Sequence, residues 1–468
     1  MKKMFNKENF LYLFILISPI LDICSSIFNF GKYSISLFIR PIIPLIVLIY
    51  IFIRDKHVRK YLLFSGIVYL GYSVIHLYLF SGLVTSFSYG NVIYEASYLA
   101  NYSFLIFTLL AFIYVFRNGN TEKLKLCFLI YISFYIISIY LAIITKTSFY
   151  TYLEGFGYRG WFNTGGAVSS ILICSLFILF PYLFENKKLL IFKIILLSLI
   201  IIYLVLLVGT RTGLFGAVIA LVCYFVFQIF IYIFKNKKLN KKMIIIFLSS
   251  FVVLALILVL VGSNTIERRK HLDGLNGEIP VGVIDSDNET IYMAYDLVKL
   301  KRQIDNNEIS NDFMLVEQKN AILRLDAYSK SKKLPSTDLR RQQLIYHHYL
   351  YHEQKNFLLK LFGNGYLTNM GMLTLEMEII ASFYNFGIIG LILFFGPFFA
   401  IFLYGTYKAF KSFSKLNLEY LMLLAGCFMS YIISILAGHT YFNSSVMIVI
   451  ILLHTLLFIK SVNMKGED

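Results

Sequence analysis

The chain has 468 residues, of which 58% are hydrophobic, 17% aromatic and only 15% charged. Soluble domains carry about a quarter charged residues, so this balance excludes an ordinary soluble enzyme and points to the bilayer. The formal charge of +17 is spread over short clusters between apolar runs and forms no basic domain, which argues against a nucleic-acid partner and for orientation signals.

A bilayer core about 30 Å thick needs about 20 apolar residues per helix. Runs of that length lie at 10–28, 34–53, 61–80, 97–116, 125–145, 165–184, 189–208, 212–234, 243–262, 386–406, 418–437 and 442–460. The first follows Lys2, Lys3 and Lys7, as in a signal peptide. It contains Asp22 and lacks a small-x-small cleavage site, so it reads as an uncleaved helix. The spacing predicts an all-α polytopic membrane protein of about twelve transmembrane helices. Cys24, Cys127, Cys174, Cys223 and Cys427 all fall inside apolar runs without CxxC or Cys/His spacing. They read as small buried hydrophobes, and neither a zinc site nor a disulfide framework is indicated.

With the amino terminus inside, the cytoplasmic segments hold 23 Lys and Arg, whereas the outer segments hold 5, namely Lys32, Arg40, Lys146, Arg159 and Arg211. That bias predicts a multi-pass protein of the plasma (inner) membrane with both termini cytoplasmic. The polar stretch 263–375 then lies outside, its 15 positives accompanied by 14 acids. Long loops translocate whatever their charge, so it does not contradict the rule. Apolar spacing predicts helices over 291–304 and 313–328 in this loop. A third is expected to start after Pro335-Ser336-Thr337-Asp338 and stop at Gly363-Asn364-Gly365. The chain thus divides into 1–262 (nine helices), 263–375 (an extracytoplasmic lid loop) and 376–468 (the last three helices).

Ionisable side chains at membrane depth cost several kcal/mol unless paired or hydrated, so each is a functional candidate. They are Asp22, Arg40, His76, Glu95, Arg159, Arg211, Glu376, Glu378 and His439, most of them toward the outer half of the bilayer under this topology. Arg211 lies in the turn Gly209-Thr210-Arg211-Thr212-Gly213, Arg159 in the stretch Gly157–Asn163, and Glu376 and Glu378 open the tenth helix. Arginines at an outer cavity suit a diphosphate, because the planar guanidinium gives bidentate, permanently charged contacts. A carboxylate beside them can take a proton from a sugar hydroxyl. The structural alternative is that Arg159 or Arg211 snorkels to the interface or pairs with Glu95 or Asp22.

Three other features carry weaker chemistry. His347, His348 and His352 include an i, i+4 pair but no HExxH and no third ligand, so an exposed aromatic-rich helix face is the reading and no metal is expected. Asp285-Ser286-Asp287 mimics a nucleotide-sugar DxD, yet it falls in a polar outer loop and reads as solvated acids. His439 either lines the cavity or packs at the interface.

Several segments resemble the O-antigen ligase and polymerase superfamily of Wzy/WaaL-type membrane proteins, above all its Gram-positive polysaccharide-polymerase branch. Ser18-Pro19-Ile20-Leu21-Asp22 is similar to that branch's opening, and Gly157–Asn163 to its R-x-G-x-F-x-N element. Gly209–Gly213 resembles the S/T-R-T/G-G turn, and Leu361-Phe362-Gly363-Asn364-Gly365-Tyr366 the lfGxGy element. Tyr384-Asn385-Phe386-Gly387-Ile388-Ile389-Gly390 resembles the H-N-x9-G-x-x-G pattern in spacing. These points span nearly the whole chain in family order. Where the ligases carry His this chain has Glu376, which puts a ligase-type His mechanism in doubt. The loop arginine of the family has no unique counterpart; Arg340 or Arg341 is the better candidate and Arg324 a lesser one.

The resemblance implies a GT-C-like, cofactor-independent and metal-independent inverting glycosyltransferase. Its donor would be a polyprenyl-diphosphate-linked oligosaccharide and its acceptor a sugar hydroxyl of another glycan, with membrane lipids around it. Under that implication Glu376, Arg211 and Arg159 are catalytic, and Arg340, Arg341, Glu378, Arg40 and His439 bind substrate. The lid would shape the grooves, with Tyr346, Tyr349 and Tyr351 either stacking on sugars or packing the lid's own core. A ligase with a different acceptor, or a lipid-linked oligosaccharide flippase or transporter, would share the helix count. The asymmetric split of nine helices and three argues against the pseudo-symmetric halves of transporters.

Overall fold

The computed structural model describes residues 7–28, 35–82, 89–152, 155–183, 189–235, 263–274, 297–309, 315–334, 339–366, 375–438 and 440–464. Eleven of the twelve predicted runs are helices: α1 (Lys7–Ile27), α2 (Ile35–Arg54), α3 (Lys56–Ser81), α4 (Tyr89–Phe116), α5 (Thr121–Ile144), α6 (Gly165–Tyr182), α7 (Leu190–Ile202), α8 (Arg211–Lys235), and the last three, described below. The twelfth run, 243–262, lies outside the described residues. Among the described residues nine helices are long and apolar enough to cross a membrane. The protein is an all-α polytopic membrane protein. Its described strands form one hairpin, β1 (Phe149–Tyr150) antiparallel to β2 (Tyr158–Gly160), just before α6.

The loop region holds α9 (Asn264–Gly274), α10 (Leu297–Asp305), α11 (Val316–Lys332), α12 (Leu339–Glu353) and α13 (Phe357–Phe362). After it come α14 (Glu378–Lys411), α15 (Leu418–Leu436) and α16 (Met447–Asn463). The third helix expected in the loop, running to Gly363, is in fact two, because the chain leaves helix at Gln354–Asn356. The Asn356 side chain accepts the Leu358 N–H at 2.9 Å and starts α13 afresh. Asn competes in this way for backbone donors and favours caps over helix interiors. The capping signal at 335–338 and the Asp285-Ser286-Asp287 stretch lie outside the described residues.

The chain forms two compact units: Met1–Arg59, Phe104–Arg269 and Pro397–Asp468 make one, and Lys60–Ser103 with Lys270–Gly396 make the other. In the first, α6 is almost wholly buried, packed against α8, α15 and α16. Small residues let these helices approach: Gly216 sits against Ile173, and Gly426 against Phe177 and Leu453. In the second, the helices of the loop region bury a core of their own, Ile304, Ala321, Ile322, Leu325, Tyr346 and Leu350, with Tyr349 packed on it. Tyr346 and Tyr349 therefore belong to that core. Tyr351 instead meets the rings of Phe383 (5.4 Å between centroids) and Tyr384 (5.9 Å).

Helix α14 breaks at Gly387, where φ is 68° and ψ is −176°. A break deprives the preceding carbonyls of their intrahelical partners, and at membrane depth those must be replaced. Here three of them are: the Asn364 N–H donates to Tyr384 O (3.1 Å), the Gly365 N–H to Asn385 O (2.8 Å) and the Tyr72 hydroxyl to Phe386 O (2.7 Å). The Leu361–Tyr366 and Tyr384–Gly390 motifs thus interlock through their backbones.

Candidate functional site

In the first unit, two of the sequence-predicted arginines stand on adjoining turns. Gly157-Tyr158-Arg159 closes the β hairpin, and Gly209-Thr210-Arg211 leads into α8. Both glycines have positive φ, +71° and +78°. A Cβ on Gly209 would lie 3.1 Å from the Cα of Gly157, and a Cβ on Gly157 would overlap the carbonyl of Val208. The two main chains touch two residues before each arginine, at most about 7 Å of chain from either one.

The helices behind these turns reinforce the arrangement. The Thr164 side chain caps α6 by accepting the Ala167 N–H at 3.3 Å. The Thr210 hydroxyl accepts the Gly213 N–H at 3.0 Å and lies 2.7 Å from the Ser169 hydroxyl. Ser169 commits its hydrogen to the Gly165 carbonyl (2.8 Å), so Thr210 is the donor between them. The positive ends of the α6 and α8 macrodipoles are therefore side by side, and neither first turn carries an acidic residue. Helix N-termini of this kind attract anions. Arg211 is the first residue of α8, where a cation opposes the dipole, and its side chain is exposed. Helix stability therefore does not account for an arginine there.

Arg159 is held more tightly. Its Nη1 donates to the Asn163 carbonyl and its guanidinium lies 5.5 Å from the Phe149 ring centre. The rest of the element is anchored by Trp161 Nε1 to Thr147 Oγ1 (2.9 Å), by the Gly160 N–H to Ser148 Oγ (3.0 Å), and by Phe162 stacked on Tyr135 at 4.6 Å and 17°. A π turn at Tyr203–Leu207 ends α7. Two of its carbonyls are taken by the chain just before and at the start of α9: Ser263 Oγ donates to Val205 O (2.9 Å) and Asn264 Nδ2 to Leu207 O (3.1 Å). This tethers α9, whose Arg268 guanidinium sits 3.5 Å over the Tyr152 ring of the hairpin loop. Arg268 escaped sequence reasoning because it was one of 15 positives in the loop; only the Ser-Asn pair after an apolar run hinted at an anchored helix there.

Arg40 is buried, 1% exposed. It pairs with Asp22, donates from Nη1 to Ser444 Oγ (2.6 Å) and Ser445 Oγ (3.3 Å), and from Nη2 to the Ser18 carbonyl (3.2 Å). Asp22 is thus held by Arg40, and Glu95 is held by His76.

In the second unit, Glu376 accepts from Arg340 Nε at 2.9 Å, with both side chains about half exposed (46% and 49%). Arg341 beside it is exposed. Glu378 is buried and accepts from the Tyr102 hydroxyl at 3.2 Å, which also lies 3.2 Å from the Tyr366 hydroxyl. Burial pushes the Tyr366 phenol above its ordinary value, so it stays protonated. His76 and Glu95, both fully buried, meet at 2.9 Å. The other ring nitrogen of His76 donates to Phe362 O (2.7 Å), and Glu95 Oε2 accepts the Tyr366 N–H (2.9 Å). The structure therefore brings Arg159 together with the Arg211 turn, and Arg340 together with Glu376. His347 is buried against Tyr384, and the rings of His348 and His352 lie edge to face at 4.5 Å. His439 lies outside the described residues.

The family model for O-antigen ligase like membrane proteins matches residues 4–465. The chain belongs to that family. No curated protein matches it in sequence. An O-antigen ligase like protein is a membrane enzyme of glycan processing, of the glycosyl-transfer type. In this member the family-like elements dock in pairs, the Gly157 stretch on the Gly209 turn and the Gly363 element on the break at Gly387.

Proposed function

We propose that this O-antigen ligase like protein is a polysaccharide polymerase that moves a polyprenyl-diphosphate-linked glycan onto an acceptor sugar hydroxyl at the outer face of the plasma membrane, with both termini inside. The observation that carries this reading is the meeting of two helix N-termini with the Arg159 and Arg211 turns, with no acid in either first turn. A diphosphate leaving group needs charge stabilisation that grows as its bond breaks, and fixed cations and backbone dipoles supply it without reorganisation. Arg268, set on the hairpin loop, is a third cation for the same end.

In the proposed reaction the acceptor oxygen attacks the anomeric carbon, the carbon–oxygen bond to the diphosphate breaks, and the diphosphate departs with the bonding pair. The acceptor proton passes to a carboxylate, for which Glu376 is the first choice and Glu378 the second. Glu376 is the more accessible, and its bond to Arg340 orients it. Arg341 and the lid surface are assigned to glycan binding. One displacement inverts the anomeric centre, and permanent guanidinium charge takes the part a metal plays elsewhere. Glu376 in place of the ligase histidine favours lengthening of a like glycan over transfer to a different acceptor.

The test is lengthening of purified polyprenyl-diphosphate-linked repeat units by purified protein in EDTA without nucleotide, with products resolved by length. A ladder made by wild type and lost in folded Arg211→Ala and Glu376→Gln supports the polymerase. A single transfer to a different acceptor supports the ligase. No transfer, with transbilayer movement of the lipid in liposomes, overturns the enzyme in favour of a flippase.

A further inference from the structure

The buried ion pair between α1 and α2 is a feature that the proposed chemistry leaves unused. Asp22 is 6% and Arg40 1% exposed, on helices that are otherwise largely apolar, where an unneeded buried ion pair is costly. The pair is fully dressed on the carboxylate side. Asp22 Oδ1 accepts from Arg40 Nη2 and Ser445 Oγ, and Oδ2 accepts from the Tyr135 hydroxyl. Of these partners, Tyr135 leads elsewhere. Its ring, fully buried on α5, carries Phe162 in a parallel stack at 4.6 Å. One turn further along the same face, Ile139 receives Gly160 so closely that a Cβ there would lie 3.1 Å from the Ile139 Cα. Phe162 and Gly160 flank Trp161 in the element that bears Arg159, and the Asn163 carbonyl at its end takes the Arg159 Nη1–H.

We infer that Asp22 and Arg40, acting through Tyr135, are positioning residues for the Arg159 element. The carboxylate fixes the tilt of the Tyr135 ring, the ring fixes Phe162, and Phe162 fixes the stretch from which Arg159 reaches out. Such a role accounts for a charged residue, Asp22, inside an otherwise apolar stretch of helix. It rests on the reading of Arg159 as a leaving-group clamp, and it makes a separate claim about the order of the loop.

The chain supplies its own probe, because its one tryptophan, Trp161, lies in this element. Trp161 emission and acrylamide quenching in the full-length protein in nanodiscs report the element with no substrate present. Tyr135→Phe removes one hydroxyl and leaves the stack sterically possible; Asp22→Asn removes the charge and is kept only if it elutes as a folded monodisperse protein. Both are expected to raise the quenching constant about twofold and to lower kcat about tenfold with KM nearly constant, since a small misplacement acts mainly on the transition state. Combining Tyr135→Phe with Arg159→Ala is expected to lower kcat no further than Arg159→Ala alone. Unchanged quenching in folded Tyr135→Phe overturns the inference whatever the activity, as does full additivity with Arg159→Ala. Raised quenching, with Arg159→Ala itself fully active, leaves the positioning role standing and removes the clamp.

Discussion

Gly157 and Gly209 meet backbone to backbone, with an ideal Cβ on Gly209 only 3.1 Å from the Cα of Gly157. Both are in the left-handed region, where a side chain costs about 1–2 kcal/mol before any clash. Gly157→Ala also collides with the Val208 carbonyl, a backbone atom that cannot swing away. Gly209→Ala is therefore expected to fold with a lowered thermal midpoint and weakened anion binding, and Gly157→Ala to fail at the stage of yield. Thermal shift and quenching of Trp161 by farnesyl diphosphate measure both. Wild-type binding by Gly209→Ala would mean that the contact does not set the site.

Arg211 opens a helix from a position where its charge opposes the macrodipole, so losing it should not destabilise the fold. Arg211→Ala is expected to keep the wild-type thermal midpoint while turnover drops about 10²–10³-fold, the scale seen when one preorganised donor to a developing anion is removed. Arg211→Lys keeps the charge and loses the planar fork, so its turnover should fall between the two. Single-turnover lengthening of a lipid-linked repeat unit gives these ratios. Equal rates for the Lys and Ala variants would show that positive charge at 211 is not what matters.

The helical framework was legible because a run of about 20 apolar residues is a local signal. What the sequence hid was non-local. The break at Gly387 looks like a tolerated glycine in an apolar run, and it persists because the Asn364 and Gly365 N–H groups and the Tyr72 hydroxyl reach its carbonyls from elsewhere in the chain. Arg159, Arg211, Asp22 and Glu95 were all visible as charges in apolar surroundings. Their pairing was not, since Asp22 finds Arg40 and Glu95 finds His76 through helix packing. Asn356 carries an ordinary capping signal, yet the helical spacing on both sides masks it in the sequence.

Arg340 and Glu376 form an ion pair with both side chains about half exposed. Exposed pairs contribute about 0–1 kcal/mol, so Arg340→Ala should leave the thermal midpoint almost unchanged. Its effect belongs on activity, with turnover reduced and the response to added salt flattened, because screening already weakens the pair in wild type. Glu376→Gln should abolish lengthening at any salt concentration. If Arg340→Ala instead destabilises the protein strongly, the pair is a strut of the lid and not an orienting contact for a base.

His76 and Glu95 are wholly buried and serve two masters each, the ring through Phe362 O and the carboxylate through the Tyr366 N–H. The Phe362 carbonyl can only accept, so the Nδ1 of His76 carries a hydrogen, and one further proton is shared between Nε2 and Oε1. Removing either partner strands the other among apolar atoms, at a cost of about 3–5 kcal/mol for a buried pair. Glu95→Ala is expected to be the more damaging substitution, because it also orphans the Tyr366 N–H beside the Gly363 element. Detergent-solubilised thermal midpoints should rank wild type above His76→Ala, and His76→Ala above Glu95→Ala. The double variant should be less destabilised than the sum of the two, since the second substitution removes a group already left unpaired by the first. Simple additivity would mean that the two side chains stabilise the fold independently and that their contact is incidental.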